Sequence, residues 1–407
     1  MSVNKKVPEI RFKGFSEAWE NKKIGDILTE IKRPIELMDN ESYQLVTVKR
    51  RNEGVVPRAV LKGENILVKN YFSIKAGDYL ISKRQVVHGA NGIVPDNLDG
   101  AVVSNEYLVI TDSDDITARY WTISSIIPKM HKLFFISSYG VDIEKLVFDV
   151  ADWKNRTITI PKIAEQKNIT SYFQKLDNLI NQHQRKHDKL SNIKNSMLEK
   201  MLPKQGETTP EIRFKGFSGE WEEKELGTDI AEIIGGGTPS TSISEFWYGD
   251  IDWYSPTEIG DNVYAKGSQK KITALGLKSC SAKILPAGNT VLFTSRAGIG
   301  DMAILAKPGS TNQGFQSLIV KEGFSPYFIY SAGKQIKDFA LKHASGSTFL
   351  EISGKQLGRM KILMPSLEEQ TAIGNYFQNI DELINQHQQQ ITKLNNIKQA
   401  CLSKMFV

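Results

Sequence analysis

Two stretches of 37 residues, 165–201 and 369–405, are identical at twenty-one positions, and each carries an apolar seam that a lone helix cannot bury. In the first, Ile169, Phe173, Leu176, Ile180, His183, His187, Leu190, Met197 and Met201 follow the alternating four-three spacing of a heptad pattern. The second repeats it with Ile373, Phe377, Ile380, Ile384, His387, Ile391, Leu394, Cys401 and Met405. Lys194 and Lys398 interrupt the seams at matching places. Pro161 and Pro365 stand before the helices and Pro203 stops the first. At 1.5 Å per residue each rod is about 55 Å long. Such a helix is stabilised by whatever covers its stripe, which is either the other copy or its own globular half. Leu179, Ile193 and Leu198 widen the stripe beyond a two-stranded seam, which leaves a flank for a further partner.

A second repeat opens each half. PEIRFKGFS occurs at 8–16 and again at 210–218, and the match extends to Trp19 and Trp221 with ten identities in twelve positions. Between the shared blocks the halves barely resemble each other. The chain thus divides into a variable domain at 1–160, a helix at 161–203, a second variable domain at 204–364 and a second helix at 365–407. The seven-residue link 203–209 spans at most about 25 Å. The second domain therefore starts near the far end of the first helix, and the second helix can run back beside it. The expected fold is mixed α/β: two domains with short-stranded sheets, separated by two long antiparallel helices in a coiled coil, with approximate two-fold symmetry. Phe173, Leu176, Ile180, His183 and Leu190 pair with Phe377, Ile380, Ile384, His387 and Leu394. His183 and His387 read as polar seam residues that fix register at some cost in stability.

The chain of 407 residues has a net charge of +6 and a pI near 8.9, which suits a polyanionic partner without requiring one. Its two cysteines, Cys280 and Cys401, form no CxxC pair, so neither a disulfide framework nor a thiolate metal site is expected. The opening MSVNKKVPEIRFKG has no apolar signal core, and no run reaches the roughly 18 apolar residues of a membrane span. A cytoplasmic protein with no membrane partner is expected.

Both variable regions read as short strands and turns. IKAGDYLIS and LPAGNTVLF look like matching Gly-turn-strand units, and VVSNEYLVI is strand-like. After the units come SKRQVVHGANG, with Lys83, Arg84, Gln85, His88 and Asn91, and TSRAGIGD, with Arg296. Asn105 in one half and Asn312, Gln313 and Gln316 in the other follow further on. Arginine can grip guanine with two hydrogen bonds, and asparagine or glutamine can do so for adenine. The same residues also make ordinary solvated turns. Thr238 and Ser240 in GGGTPS, and Ser347 and Thr348 in ASGSTFLEIS, complete the polar loops of the second half. Lys49, Arg50 and Arg51 in KRRN are either phosphate contacts or a solvated basic face.

No catalytic set is present. There is no Pro-Pro dipeptide, and so no (Asn/Asp)-Pro-Pro-aromatic motif of amino-group methyltransferases. No Gly-rich loop ends in Gly-Lys-Ser/Thr. GGGTPS could form an anion nest, but it opens no helical pattern and fits a turn better. Asp152 and Lys154 form an Asp-x-Lys fragment of a nuclease metal site, a pattern common by chance. His183 and His187 have zinc-compatible spacing, but the second copy carries Ile391 in place of the second histidine. No metal site is expected.

With YFQKLDNLINQHQ and YFQNIDELINQHQ each following a variable domain, the chain resembles the specificity subunit of type I restriction-modification systems. GGGTPSTSISEFWYGDIDWYSP resembles the start of a target-recognition domain of that family, and TNQGFQSL its later part. The resemblance covers essentially the whole chain and is thinnest over 40–100. It implies that each variable domain reads one half of a split, asymmetric sequence on double-stranded DNA, and that the helices set the unread gap. It further implies two copies of a methyltransferase subunit on the helices, modifying adenine at N6, and restriction subunits that join them. S-adenosylmethionine, ATP and Mg²⁺ would belong to those partners and none to this chain. Two other readings stay open: a stand-alone nuclease or methyltransferase with an unfamiliar site, and a coiled-coil adaptor whose heads bind protein.

Overall fold

The computed structural model describes residues 7–67, 70–260, 262–296, 298–346 and 350–407. It forms two compact units, Met1–Gln182 with Gln390–Val407, and His183–Gln389. The long helices are continuous over Ile163–Met201 and Leu367–Lys404, so each unit contains part of both.

Each unit has its own sheet, and the two sheets have the same strand order around the matching Gly-turn-strand segments. In the first unit, strands Thr29–Glu30, Tyr107–Thr111, Tyr79–Ser82 and Asn91–Ile93 lie side by side in that order, all antiparallel. The second unit has Ala231–Gly235, Gln316–Val320, Thr290–Phe293 and Met302–Leu305 in the corresponding order, with Tyr264–Ala265 added in parallel. Tyr79–Ser82 and Thr290–Phe293 are buried at every position, which is why they read as apolar runs rather than alternating strands. Each follows a glycine in the left-handed region, Gly77 at φ +88° and Gly288 at φ +82°. The Gly77 amide donates to the Val94 carbonyl and the Gly288 amide to that of Leu305, so each turn is tied to the chain around the neighbouring strand. A second sheet is larger in the first unit: Pro34–Ile35, Tyr71–Ser73, Val102–Ser104, Ser42–Lys49 and Gly54–Lys62, against Lys270–Ile272, Trp247–Tyr254 and Ser310–Thr311 in the second. One pairing in each is parallel, Leu45 with Val102 and Trp253 with Ser310.

The repeated opening phrase is a clamp. In the first unit Arg11 donates from Nε and Nη2 to the two carboxylate oxygens of Glu165, both at 2.7 Å. The Ile10 amide donates to the carbonyl of Lys404, and Phe12 meets Tyr172 edge-on. The second unit repeats every contact: Arg213 grips Glu369, the Ile212 amide reaches Lys200, and Phe214 meets Tyr376. The phrase therefore ties the first turn of one long helix to the last turns of the other. The pair is desolvated, with Arg11 12% and Glu165 2% exposed. Removing one member would leave an uncompensated charge, at a cost of about 3–5 kcal/mol.

Both coverings that the sequence left open are used. Phe173 is fully buried in a core with Trp19, Tyr120 and Trp121 of its own domain and with Leu402 and Met405 of the second helix. Phe377 shares a core with Trp221, Phe328, Met201 and Leu202. In each unit the helices run antiparallel. Tyr172 lies by Cys401 and Asp177 by Lys398 in the first unit, while His183 lies by His387 and Asp381 by Lys194 in the second. Leu176 and Ile380 are buried, and Ile180, Leu190, Ile384 and Leu394 are half-buried. Lys194 and Lys398 do not break the seam as the heptad reading implied, because each has a carboxylate opposite on the other helix. His187 turns to Asp188, with Nδ1 3.1 Å from Oδ1, while His183 meets His387.

The Nδ1 atoms of His183 and His387 are 3.0 Å apart, a contact that requires at least one neutral ring. Burial first, and then the charges of His183, Lys186 and His187, hold the His387 imidazole below its ordinary pKa. A lowered pKa in the folded state means the unfolded chain takes up the proton first. The stabilisation is therefore present above about pH 6.5 and is lost as the pH falls below it toward the folded value. Calorimetry between pH 7 and pH 5 should show the melting temperature of the wild type falling more than that of a His183→Leu, His387→Leu double variant. Equal falls would acquit the histidines.

Candidate nucleic-acid interface

Backbone hydrogen bonds gather four loops of the first unit. The Arg51 amide donates to His88, that of Asn52 to Gly89, that of Lys83 to Glu106, and that of Phe148 to Lys83. Arg51 and Asn52 form the tip of the hairpin between Ser42–Lys49 and Gly54–Lys62, at φ +59° and +58°. Lys49, Arg50, Arg51, Arg84 and Asn105 are exposed on this cluster, while Lys83, Gln85 and His88 are half-buried. Most of the cations have partners. Arg84 donates to both oxygens of Glu106, at 2.6 and 3.5 Å, which holds its guanidinium above the ordinary pKa. Arg50 donates to Glu144, whose other oxygen lies 3.7 Å from His88 Nε2. Lys49 sits 3.7 Å from Glu53, and Lys83 donates to the Asn105 carbonyl. Asn91 lies inside the domain rather than on this surface. It is 2% exposed and its amide donates to Asn52, because its strand is covered by the same hairpin tip.

The second unit brings its predicted residues together by a different route. The Gly237 amide donates to Thr311, the Asn312 amide to Tyr254, and the Ser295 amide to Gly314. GGGTPS is glycine-rich because the chain passes close behind it: a Cβ on Gly236 would lie 2.0 Å from the Asn312 carbonyl oxygen. Close approach explains the run better than an anion nest. The Thr238 hydroxyl donates to Gln313, and Ser240 bonds Ser242. The Asn312 side-chain oxygen accepts from the Gly314 amide, so half of that amide makes a turn. Gln313 is exposed, Gln316 is half-buried at the start of its strand, and Arg296 lies 3.9 Å from Glu351. Ser347 and Thr348 lie outside the described residues.

Guanidinium and amide groups on these loops can meet base edges, and the lysines can meet phosphates. The loop arginines Arg50, Arg84 and Arg296 each face a carboxylate, Glu144, Glu106 or Glu351. Sequence reasoning missed these three acids, and nothing near the arginines in the chain marks them. The Asp-x-Lys fragment is spoken for, with Asp152 held by Arg156 and Lys154 by Glu30. Among the described residues no cluster of three or more His, Cys, Asp or Glu could hold a metal ion. Among them too, no helix is long and apolar enough to cross a membrane.

The family described as type I restriction modification DNA specificity domain matches residues 16–192 and again 218–396. The type I restriction enzyme MjaIX specificity subunit of Methanocaldococcus jannaschii is 36% identical over 192 residues, 46% of this chain and 44% of that one. The EcoR124I/EcoR124II specificity subunit of Escherichia coli is 33% identical over 183 residues, 43% of this chain and 44% of its own. The chain thus spans less than half the length of these two relatives. The fold is similar to the type I restriction-modification S subunit from M. genitalium, with a TM-score of 0.63 at 13% identity over 98% of this chain and 99% of that one. It is also similar to a chain solved in work on complex assembly and conformational transition of the type I R-M system, with a TM-score of 0.51 at 18% identity over 95% and 97% of the two chains. Matched twice and over most of its length, the chain belongs to the family of type I restriction modification DNA specificity domains, of which it carries two.

Proposed function

We propose that this chain is the subunit that chooses the DNA sequence in a type I restriction-modification complex and does no chemistry itself. Each domain reads one half of a bipartite, asymmetric site on double-stranded DNA through the gathered loops. The paired helices set the unread gap and dock two copies of a methyltransferase subunit, and restriction subunits complete the assembly. S-adenosylmethionine, ATP and Mg²⁺ are bound by those partners.

One observation carries this reading: the duplication stops at the loops. Sheet order, clamp and helices recur, while the polar residues that gather on each unit do not. A shared frame serves a shared partner, and unlike loops serve unlike sequences. Leu179 and Leu383 occupy equivalent positions on the helix repeat and are 42% and 44% exposed, which supports two equal docking faces.

Exchanging the first domain for that of a relative with another site should change one half of the methylated sequence and leave the other, as read by methylome sequencing. A site unchanged in both halves would contradict the proposal. Arg296→Ala should weaken binding by about 1–3 kcal/mol and relax preference at one base pair. Lys49→Ala should weaken binding evenly across sequences and flatten its salt dependence. Competition binding at several salt concentrations separates the two behaviours.

A further inference from the structure

Tyr248 combines two features that a folded chain normally avoids. It is 93% exposed, and its backbone is in the left-handed region at φ +63°. Large aromatic residues ordinarily contribute by burial, and bulky side chains take positive φ only where the surroundings impose it. Here the surroundings do impose it. The strand Trp247–Tyr254 breaks register against Lys270–Ile272, so that Trp247 and Ile251 both oppose Ile272. At the next position, a Cβ on Gly249 would lie 2.5 Å from the Ile272 carbonyl oxygen. The bulge presses Gly249 against the partner strand and leaves Tyr248 on its open side.

That bulge is anchored to the loop that carries Thr238 and Ser240. Trp247 donates from Nε1 to the Ser240 carbonyl, and Trp253 does the same to Gly237. The two indoles meet edge to face at 5.1 Å. Two tryptophans therefore brace the polar loop while Tyr248, directly after the first, stands out in solvent. Exposed Lys270 and Lys271 lie further along the paired strand, opposite Trp253 and Asp252, and Lys271 Nζ is 3.6 Å from Asp252. An exposed flat ring next to the loop that carries Thr238 and Ser240 suits a ligand with flat faces.

We propose that Tyr248 is a DNA-contacting residue of the second domain, its ring stacking at a base step on the edge of the half-site. The proposal rests on the DNA-reading function above. A ring wedged at a duplex step reads no base edge, so Tyr248 contributes affinity and placement, and the neighbouring loops contribute most of the sequence preference. The phenol hydroxyl is dispensable for this role, whereas the aromatic ring is not.

The test uses the full chain and a duplex that the wild type selects from a randomised pool, with 2-aminopurine placed at successive steps. Tyr248→Gly removes the ring and fits the positive φ. It should melt no lower than wild type yet bind the selected duplex about tenfold more weakly. Tyr248→Phe should bind like wild type and Tyr248→Leu more weakly. One 2-aminopurine position should change its fluorescence with wild type and not with the glycine variant. Unchanged affinity of the glycine variant, or equal loss in the phenylalanine variant, overturns the proposal while leaving DNA reading intact. Loss of binding to a purified methyltransferase subunit in place of DNA also overturns it. A wild type that enriches no sequence sinks the DNA reading and this proposal together.

Discussion

A lysine on one long helix meets an aspartate on the other in each unit, and these contacts set the register on which the rest is built. Lys194 donates to Asp381 at 2.6 Å, and Lys398 to Asp177 at 2.5 Å. Only antiparallel helices in one register satisfy both. The two pairs do not weigh the same. Asp381 is 10% exposed and also accepts from the Tyr327 hydroxyl, so stripping it of its lysine approaches the cost of an orphaned buried charge, about 3–5 kcal/mol. Asp177 is 42% exposed, and its pair falls nearer the surface range of about 0.2–1 kcal/mol. A slip of one heptad would bury Lys194 and Asp381 without each other and would part His183 from His387.

The clamp extends that register into the globular domains. Arg11 and Arg213 each hold the first turn of a helix, and the residues before them bond the last turn of the other. Trp19 and Trp221 follow within the same phrase and are buried in the two domain cores. A domain seated in this way cannot shift without breaking a buried ion pair. That seating defines where each loop lies on its domain, and under the proposed function it leaves the loops free to differ.

The helices were legible because a heptad pattern is a local signal, and the clamp's two blocks were legible because they are repeated. Their pairing was not. Arg11 and Glu165 lie 154 residues apart, and nothing in either block names the other. Lys194 looked like a fault in the seam because its partner is on another helix. The common sheet order was hidden for a different reason: a fully buried strand needs apolar bulk rather than particular residues, so YLIS and TVLF serve alike. Among the loop residues, Arg84 and Arg296 stand where the Gly-turn-strand units suggested, just past matching strands. Asn91 does not stand on the surface, since an asparagine beside glycine reads as a solvated turn whether or not a hairpin lies over it.

The measurement closest to the central claim is a charge-swap cycle on the buried pair, made in a Tyr327→Phe background so that the tyrosine bond is not counted. Lys194→Asp and Asp381→Lys should each lower the melting temperature, because each sets two like charges face to face. Together they should recover most of the loss, because the pair is restored with its ends exchanged. A double variant no more stable than the sum of its single losses would mean that these two positions do not meet, and the antiparallel register would be wrong.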